Sequence, residues 1–322
     1  MSEHTVISWC DSTWSPVWGC TEVSKAETGG GGCDNCYART LAHRFGYGWN
    51  GAPMREFGNH HWAEPVRWNR RAQANGTRPR VFPSMCDPLD KDWPAGVRDR
   101  FWRLVDATPY LTWLILTKRI GNYASYGPGA VIGRHPANVW LGATVVNQLE
   151  ADRDIPKLLA TPARVRFLSA EPLLGPVDLT AIRVPLAGES YTEGNVLAHK
   201  DSLNLGAPRA AIDWVICGGE SGPQARPMHP DWVRSLRDQC AAAGVPFHFK
   251  QWGEHTSGEL AAHPDYPGDG GAWRLDQMGR RWHDPMESLK PRDQWAPVKF
   301  TRPGKAAAGR LLDGVEHNGF PR

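Results

Sequence analysis

The feature that most constrains the fold is a series of six short apolar runs spaced along the chain. Each run is four to six residues long and rich in β-branched or aromatic residues, and most are flanked by proline, glycine or aspartate. The runs are residues 80–83, 111–116, 138–143, 165–169, 214–218 and 246–250. Several are apolar nearly throughout, which is typical of strands covered on both faces. The runs therefore predict six strands of a largely parallel sheet.

Helical patterns lie between these runs. Apolar residues recur with helical spacing from Val97 to Val105 and from Val233 to Cys240, where Gly244 provides a stop signal. Asn147, followed three residues later by Glu150, is typical of a capping box at a helix start. Strands that alternate with helices about six times predict an α/β fold with a parallel sheet or barrel.

Length and composition set the domain organisation. The 322 residues suffice for one large or two modest domains, and 41% of them are hydrophobic. We expect one barrel domain over residues 1–252, with a loop insertion at 185–210, and a C-terminal extension packed on it over 253–322. The seven cysteines are odd in number and mostly scattered, which favours a reducing, cytoplasmic location. No run of 18 apolar residues exists, so we expect no membrane span.

Polar residues follow each predicted strand. In parallel α/β folds the functional residues gather at the C-terminal ends of the strands. A solvated or capping role explains any single one of these residues equally well, but all six ends carry hydrogen-bonding groups. They are Ser84, Asp87, Thr117, Lys118, Arg119, Thr144, Glu171, Glu220, Ser221, Lys250 and Gln251.

Three cysteines near the N-terminus carry the strongest functional signal. Cys33 and Cys36 form a CxxC pair, and twelve residues, ending in glycines, separate them from Cys20. Three thiolates can hold three irons of a four-iron cluster and leave one iron open for S-adenosylmethionine (SAM), whereas four cysteine ligands would close the site. A zinc site completed by His43, His60 or His61 fits the spacing equally well. A redox dithiol is a third reading, but it leaves Cys20 without a role.

Motifs along nearly the whole chain resemble those of a known family. They are residues 7–20, 33–38, 84–87, 116–119, 140–144, 168–173, 218–221 and 304–314. Together they resemble the phage-associated three-Cys-motif family, which has no firmly assigned reaction. That family in turn resembles radical-SAM enzymes, and the nearest similarity is to the spore photoproduct lyase group.

The resemblance implies a fold and a set of cofactor ligands. The fold is a partial (β/α)6 TIM-like barrel of the radical-SAM type, with an N-terminal cluster-binding loop at residues 10–37 and a C-terminal extension. A 4Fe-4S cluster would be bound by Cys20, Cys33 and Cys36. Ser84 and Asp87 would hold the SAM amino group. The candidates for its ribose and carboxylate are Thr117, Lys118, Thr144 and Glu171.

The resemblance also implies an activity and partners. Such an enzyme cleaves SAM reductively at the cluster and abstracts hydrogen from a substrate, for which a nucleobase in DNA, undergoing repair or modification, is suggested. An external electron donor is required, and a separate three-Cys-motif partner protein is expected. A basic run with one aromatic residue, from Arg67 to Arg80, is a candidate DNA contact, although a solvated helix face explains it as well. The sequence does not identify catalytic residues that act on the substrate.

Two departures from the radical-SAM pattern leave alternatives open. The common spacing is CxxxCxxC, whereas the first gap here has twelve residues, and Cys10 is an additional thiol that can compete as a ligand. A longer loop costs little extra closure entropy, so the cluster remains compatible with this spacing. The alternatives are a zinc-stabilised nucleic-acid-binding module without catalysis and a metal-dependent hydrolase that uses Asp87, Glu171 and Glu220.

Overall fold

The computed structural model describes residues 2–23, 31–185, 191–198, 211–257, 273–274 and 299–321. All six predicted runs form strands, and short strands occur before, between and after them. The strands are β1 Ser12–Thr13, β2 Val17–Trp18, β3 Arg55–Glu56, β4 Arg80–Phe82, β5 Thr112–Thr117, β6 Val139–Thr144, β7 Val165–Ala170, β8 Ile182–Pro185, β9 Tyr191–Gly194, β10 Trp214–Gly218, β11 Phe247–Gln251, β12 Thr256–Ser257, β13 Trp273–Arg274 and β14 Lys299–Thr301.

Helices occupy most of the predicted positions between the strands. They are α1 Tyr37–Arg44, α2 Asn59–Trp62, α3 Glu64–Asn75, α4 Val97–Asp106, α5 Tyr123–Tyr126, α6 Pro128–Ile132, α7 Gln148–Leu159, α8 Pro230–Ala243 and α9 Lys305–Ala308. The start of α7 is as predicted, because the Asn147 side chain accepts a hydrogen bond from the Glu150 amide at 3.0 Å. Gly244 ends α8 in the left-handed conformation that glycine adopts without steric cost.

The strands of the main sheet follow their order in the sequence. The seven-stranded sheet has the order β1-β4-β5-β6-β7-β10-β11, and the pairs β1–β4, β4–β5, β5–β6 and β10–β11 are parallel. Along the chain, each new strand of this sheet is added at the same edge. In a doubly wound sheet, by contrast, the strand order reverses at a switch point. The α/β fold with a parallel sheet is therefore confirmed.

The chain forms two compact units, each built from several segments. The first unit comprises Met1–Glu22, Cys36–Thr144 and Lys157–Leu168, and the second comprises Val23–Asn35, Val145–Pro156 and Ser169–Arg322. The core of the first unit is strongly aromatic. The Trp14 ring stacks on Phe101 and meets Trp113 edge-on, and all three side chains are fully buried. These tryptophans therefore serve packing.

In the second unit, the segment before the end of the chain runs along the outer strand of the sheet. The Phe249 amide donates to the His317 carbonyl at 2.9 Å, and the Gly319 amide donates to the Phe247 carbonyl at 3.0 Å. The Trp214 indole donates to the Gly319 carbonyl at 2.8 Å. Backbone groups of β11 that face away from β10 therefore have hydrogen-bonding partners.

Several predictions fall wholly or partly outside the described residues. The predicted insertion at 185–210 is described only where β8 and β9 pair as an antiparallel hairpin and at residues 195–198. Of the predicted extension at 253–322, the described part includes a small sheet of order β12-β14-β13. Residues 24–30, between Cys20 and Cys33, also lie outside the described residues. Within the described part of the chain, no helix has the length and apolarity needed to cross a membrane.

Candidate functional site

Two of the three predicted cluster ligands lie against the same apolar surface of the first unit. Cys20 follows β2, and Cys36 is the residue that precedes α1. Both side chains are partly buried and pack against a cluster formed by Ala38, Ala42, Trp49 and Met85. The folding of the first unit thus places two cysteines that are sixteen positions apart in the sequence against one apolar cluster.

Arg119 connects the Cys20 loop to the ends of β4 and β5. Its Nη1 donates to Asp87 Oδ2 at 2.8 Å and lies 3.6 Å from Cys20 Sγ. Its Nη2 lies 3.3 Å from Asp90 Oδ2 and donates to the Thr21 carbonyl. The Thr21 amide in turn donates to Asp90 Oδ2 at 2.6 Å. One guanidinium therefore bonds both the loop that carries Cys20 and the acidic turn after β4.

Asp87 is the centre of this hydrogen-bond network. Besides the Arg119 bond, its carboxylate accepts hydrogen bonds from Thr117 Oγ1 at 2.7 Å, from the Lys118 amide at 3.0 Å and from the Leu89 amide at 3.0 Å. The side chain is buried, with 6% of its surface exposed. Asp87, Thr117 and Lys118 were predicted as SAM contacts, and the structure brings these three together. Through these hydrogen bonds, Asp87 positions Thr117 and the backbone of Lys118.

The charged groups of this network shift the pKa values of Cys20 and Arg119. Burial raises the pKa of the Cys20 thiol well above its usual value and the Asp87 charge adds to this effect, which Arg119 opposes. Burial lowers the pKa of the Arg119 guanidinium, but Asp87 and the Cys20 sulfur outweigh burial and raise it overall. Arg119 therefore stays charged and offsets only part of the effect by which burial and the acidic side chains keep the Cys20 thiol protonated. A metal ion requires the deprotonated sulfur, because its cysteine ligands bind as thiolates.

Cys33 belongs to the second unit, where its loop is fixed by charged contacts. Arg226 donates to Asp34 Oδ2 at 3.0 Å and to the Gly31 carbonyl at 3.1 Å, and Asn35 Nδ2 donates to Glu220 Oε2 at 3.0 Å. Arg226 also pairs with Glu220, which follows β10, at 2.6 Å. The loop that carries Cys33 is thereby bonded to the residues after β10.

Two predicted SAM contacts carry buried oxygens that lack a hydrogen-bond partner among the described residues. They are Thr144 Oγ1 at the end of β6, in the first unit, and Glu171 Oε1 after β7, in the second. The other Glu171 oxygen accepts a hydrogen bond from Lys250 Nζ at 3.0 Å. A bound ligand, an ion or an ordered water molecule that supplies the missing donor is one explanation of such oxygens.

The remaining predicted contact, Ser84, lies close to the cysteine region. Its carbonyl accepts a hydrogen bond from the Tyr37 hydroxyl at 2.8 Å, and Tyr37 is the first residue of α1. Among all the described residues, no three histidine, cysteine, aspartate or glutamate side chains form a group that could hold a metal ion. All seven cysteines are free thiols.

Two members of this network, Asp90 and Arg119, were not predicted as cofactor contacts. Asp90 and Arg119 complete the network around Asp87, and Cys86 lies close enough to Cys20 for the two thiols to influence each other's charge. Arg119 was visible as a polar residue after β5, and Asp90 as a second acid on the turn after β4. Their partnership with Cys20 had no sequence signal, because 99 residues separate Arg119 from Cys20.

The fold and the site define an α/β protein with a parallel sheet whose strands follow sequence order and a cysteine-bearing loop bonded to its strand ends. The chain belongs to the family described as "Protein of unknown function (DUF5131)", whose family model matches residues 4–321. No curated protein matches the chain. No solved structure matches it either.

Proposed function

We propose that this protein is a radical-SAM enzyme in which Cys20, Cys33 and Cys36 hold a 4Fe-4S cluster. The observation that carries the proposal is the convergence of Cys20 and Cys36 on one apolar cluster, with Arg119 beside the Cys20 sulfur. Strands that follow sequence order suit the proposed partial (β/α)6 TIM-like barrel of the radical-SAM type.

The residue types suit the two cofactors, although the cysteines do not form a group that could hold a metal ion among the described residues. Cysteine thiolates are the usual ligands of iron–sulfur clusters, and a set of three leaves one iron open. Thr144 and Glu171 offer buried oxygens that still lack a hydrogen-bond donor among the described residues, as residues that bind polar groups of SAM would. When bound, the cofactors would supply reductive cleavage of the SAM sulfonium bond and hydrogen abstraction from substrate, with an external electron donor.

The protein's own residues would orient and shield this chemistry. Arg119 would stabilise negative charge on the Cys20 sulfur, since a charged donor forms the stronger kind of hydrogen bond. Asp87 accepts a hydrogen bond from the same Nη1 atom and so helps to hold Arg119 in place. Trp49 and Met85, buried behind the cysteines, would exclude water from that side of the cluster.

We propose a nucleobase in DNA as the substrate, undergoing repair or modification. The formal net charge of +3 permits contact with a polyanion. In the predicted basic run, Arg67 and Arg70 are exposed, whereas Trp68 is buried with 8% of its surface accessible. The run therefore offers charge but no aromatic face for a base. A three-Cys-motif partner protein remains part of the proposal.

The alternative is a zinc-stabilised nucleic-acid-binding module, which needs a histidine or another fourth ligand. Of the histidines considered, His61 already contacts the Ser15 carbonyl through Nε2 at 2.9 Å and Glu64 through Nδ1 at 3.0 Å. Both ring nitrogens of His61 are thus engaged within the protein. This observation favours the iron–sulfur reading over a zinc site that uses His61.

The test is anaerobic reconstitution with iron and sulfide, followed by EPR of the reduced protein with and without SAM. We expect about four irons per chain and a spectrum that shifts when SAM is added. Cys33→Ala should lose the signal, whereas Cys10→Ala and Cys86→Ala, which remove the competing thiols, should keep it. Tight binding of zinc without iron uptake would overturn the proposal and favour the binding module.

A further inference from the structure

We infer that an exposed aromatic surface on the first unit binds single-stranded DNA. This surface, called here the aromatic surface, consists of Trp18, Phe45, Tyr47, Arg55 and Phe57. The inference deepens the proposed function by identifying where the DNA substrate would be held. It rests on that proposal only for the choice of DNA as the nucleic acid.

The aromatic rings of this surface form one contiguous group centred on Trp18. The Trp18 and Tyr47 rings are stacked, with centroids 4.8 Å apart. The ring centroids of Phe45 and Phe57 lie 5.9 Å and 5.8 Å from that of Trp18. Phe45 is the exposed ring of this group and offers a face on which a base can stack, and such stacking tolerates any base.

The same rings are partly or largely accessible to solvent. Phe45, which directly follows α1, has 60% of its surface exposed, and Trp18, Tyr47 and Phe57 are partly buried. Large aromatic side chains gain free energy when they are covered, so a contiguous exposed group is typical of an interaction site. Its contact with Trp18 keeps Phe45 in place on this surface.

Arginine side chains give the aromatic surface a positive charge. The Arg55 guanidinium lies 5.3 Å from the Tyr47 ring centroid, and Arg55 pairs with Trp18 across the β2–β3 ladder. Arg44 is exposed and immediately precedes Phe45. Stacking faces combined with cations are what a single strand recognises, because its bases are unstacked and its phosphates lie close by. The arginine charges complement the closely spaced phosphates of a single strand, which favours DNA as the occupant.

The position of the surface agrees with the proposed chemistry. Trp18 and Tyr47 pack against the same apolar cluster, around Ala38 and Trp49, that contacts Cys20 and Cys36. A DNA strand bound to the aromatic surface would therefore lie near Cys20 and Cys36. An enzyme that acts on a base must first separate it from its stack, and a single strand meets this need at the lowest cost.

The test is fluorescence anisotropy of a labelled oligothymidylate with the full chain as purified, without cofactor loading. We expect the Phe45→Ala variant to bind roughly fivefold more weakly or worse, because one stacked base contributes about 1–3 kcal/mol. Phe45→Leu should also weaken binding, since it keeps apolar bulk but lacks a ring. Arg55→Gln should reduce the slope of log affinity against log salt by about 0.7.

The matched control is Tyr191→Ala in the second unit. Tyr191 is 55% exposed and has Arg183 over its ring at 5.0 Å, but it is not part of the aromatic surface. Equal binding by wild type and Phe45→Ala, or an equal loss in Tyr191→Ala, would overturn the inference. Tighter binding of a DNA duplex or of an RNA oligomer of the same length would also overturn it. So would absence of binding at low salt. Because no cluster is needed, this result is independent of the EPR experiment.

Discussion

At the scale of single residues, the Asp87–Arg119–Asp90 group is the most consequential feature of the first unit. Asp90 is fully buried, and Asp87 and the Arg119 side chain are nearly so. Charges removed from water are costly unless they are paired and fully hydrogen-bonded. Arg119 satisfies both carboxylates at once and also bonds the backbone beside Cys20. The position of the backbone beside Cys20 therefore depends on the buried ion pairs of Arg119 with Asp87 and Asp90.

Removing the central cation should destabilise the fold measurably. Arg119→Gln leaves two buried carboxylates without their counter-ion, and we expect the free energy of unfolding to fall by about 3–5 kcal/mol. Urea denaturation of the cofactor-free protein measures this change. Arg103→Gln, which removes an exposed ion pair with Asp99, should leave unfolding unchanged. Similar unfolding midpoints for the two variants would show that Arg119 is not part of a balanced buried group.

At the scale of helices and strands, the runs that form the main sheet were predictable because strands covered on both faces are apolar throughout. The strands β1, β2 and β3 were not predicted, because each is two residues long and has no periodicity to detect. The polar strand ends were predictable as a set. The bonds from Thr117 and Lys118 to Asp87 were not, because hydrogen-bond partners depend on which strands become neighbours.

Gly142 in β6 shows how one residue adapts a strand to its neighbours. An added Cβ at this position would overlap the ring of Phe167, a fully buried residue of β7. Glycine within a strand usually weakens it, and it is retained where another group approaches closely. The sequence showed the glycine within an apolar run but not the ring that occupies its place.

We expect Gly142→Ala to lower the free energy of unfolding by about 1–3 kcal/mol, because added bulk in a packed core forces its neighbours to shift. Chemical denaturation provides the measurement. Gly58→Ala is the control, since a Cβ there meets nothing within 4 Å. The double variant Gly142→Ala/Phe167→Leu should recover part of the loss. A single variant as stable as wild type would contradict the proposed overlap.

At the scale of the whole molecule, sequence patterns were less informative. The α/β class followed from the alternation of strands and helices, which is local information. The predicted division into residues 1–252 and 253–322 stays a prediction, and the compact units are built from interleaved segments such as Val23–Asn35 and Val145–Pro156. Such grouping depends on contacts between distant parts of the chain, which periodicity does not report.

The segment that lies along β11 has a consequence for behaviour at high concentration. A sheet edge with free amide and carbonyl groups can template pairing between molecules, and natural proteins cover such edges. An added Cβ at Gly319 would lie 2.7 Å from both the amide nitrogen and the carbonyl oxygen of Phe247. Because those backbone atoms have little freedom to move, Gly319→Ala should displace the segment.

We therefore expect Gly319→Ala to aggregate with a rate that rises with protein concentration, while its secondary structure is retained. Light scattering follows the aggregation, and hydrogen exchange at the Phe249 amide, which donates to His317, reports the uncovered edge. A variant that stays monomeric with that amide protected would contradict this expectation. If Gly319→Ala does aggregate, the colloidal stability of the protein depends on a short segment that prevents the sheet of one copy from continuing into the next.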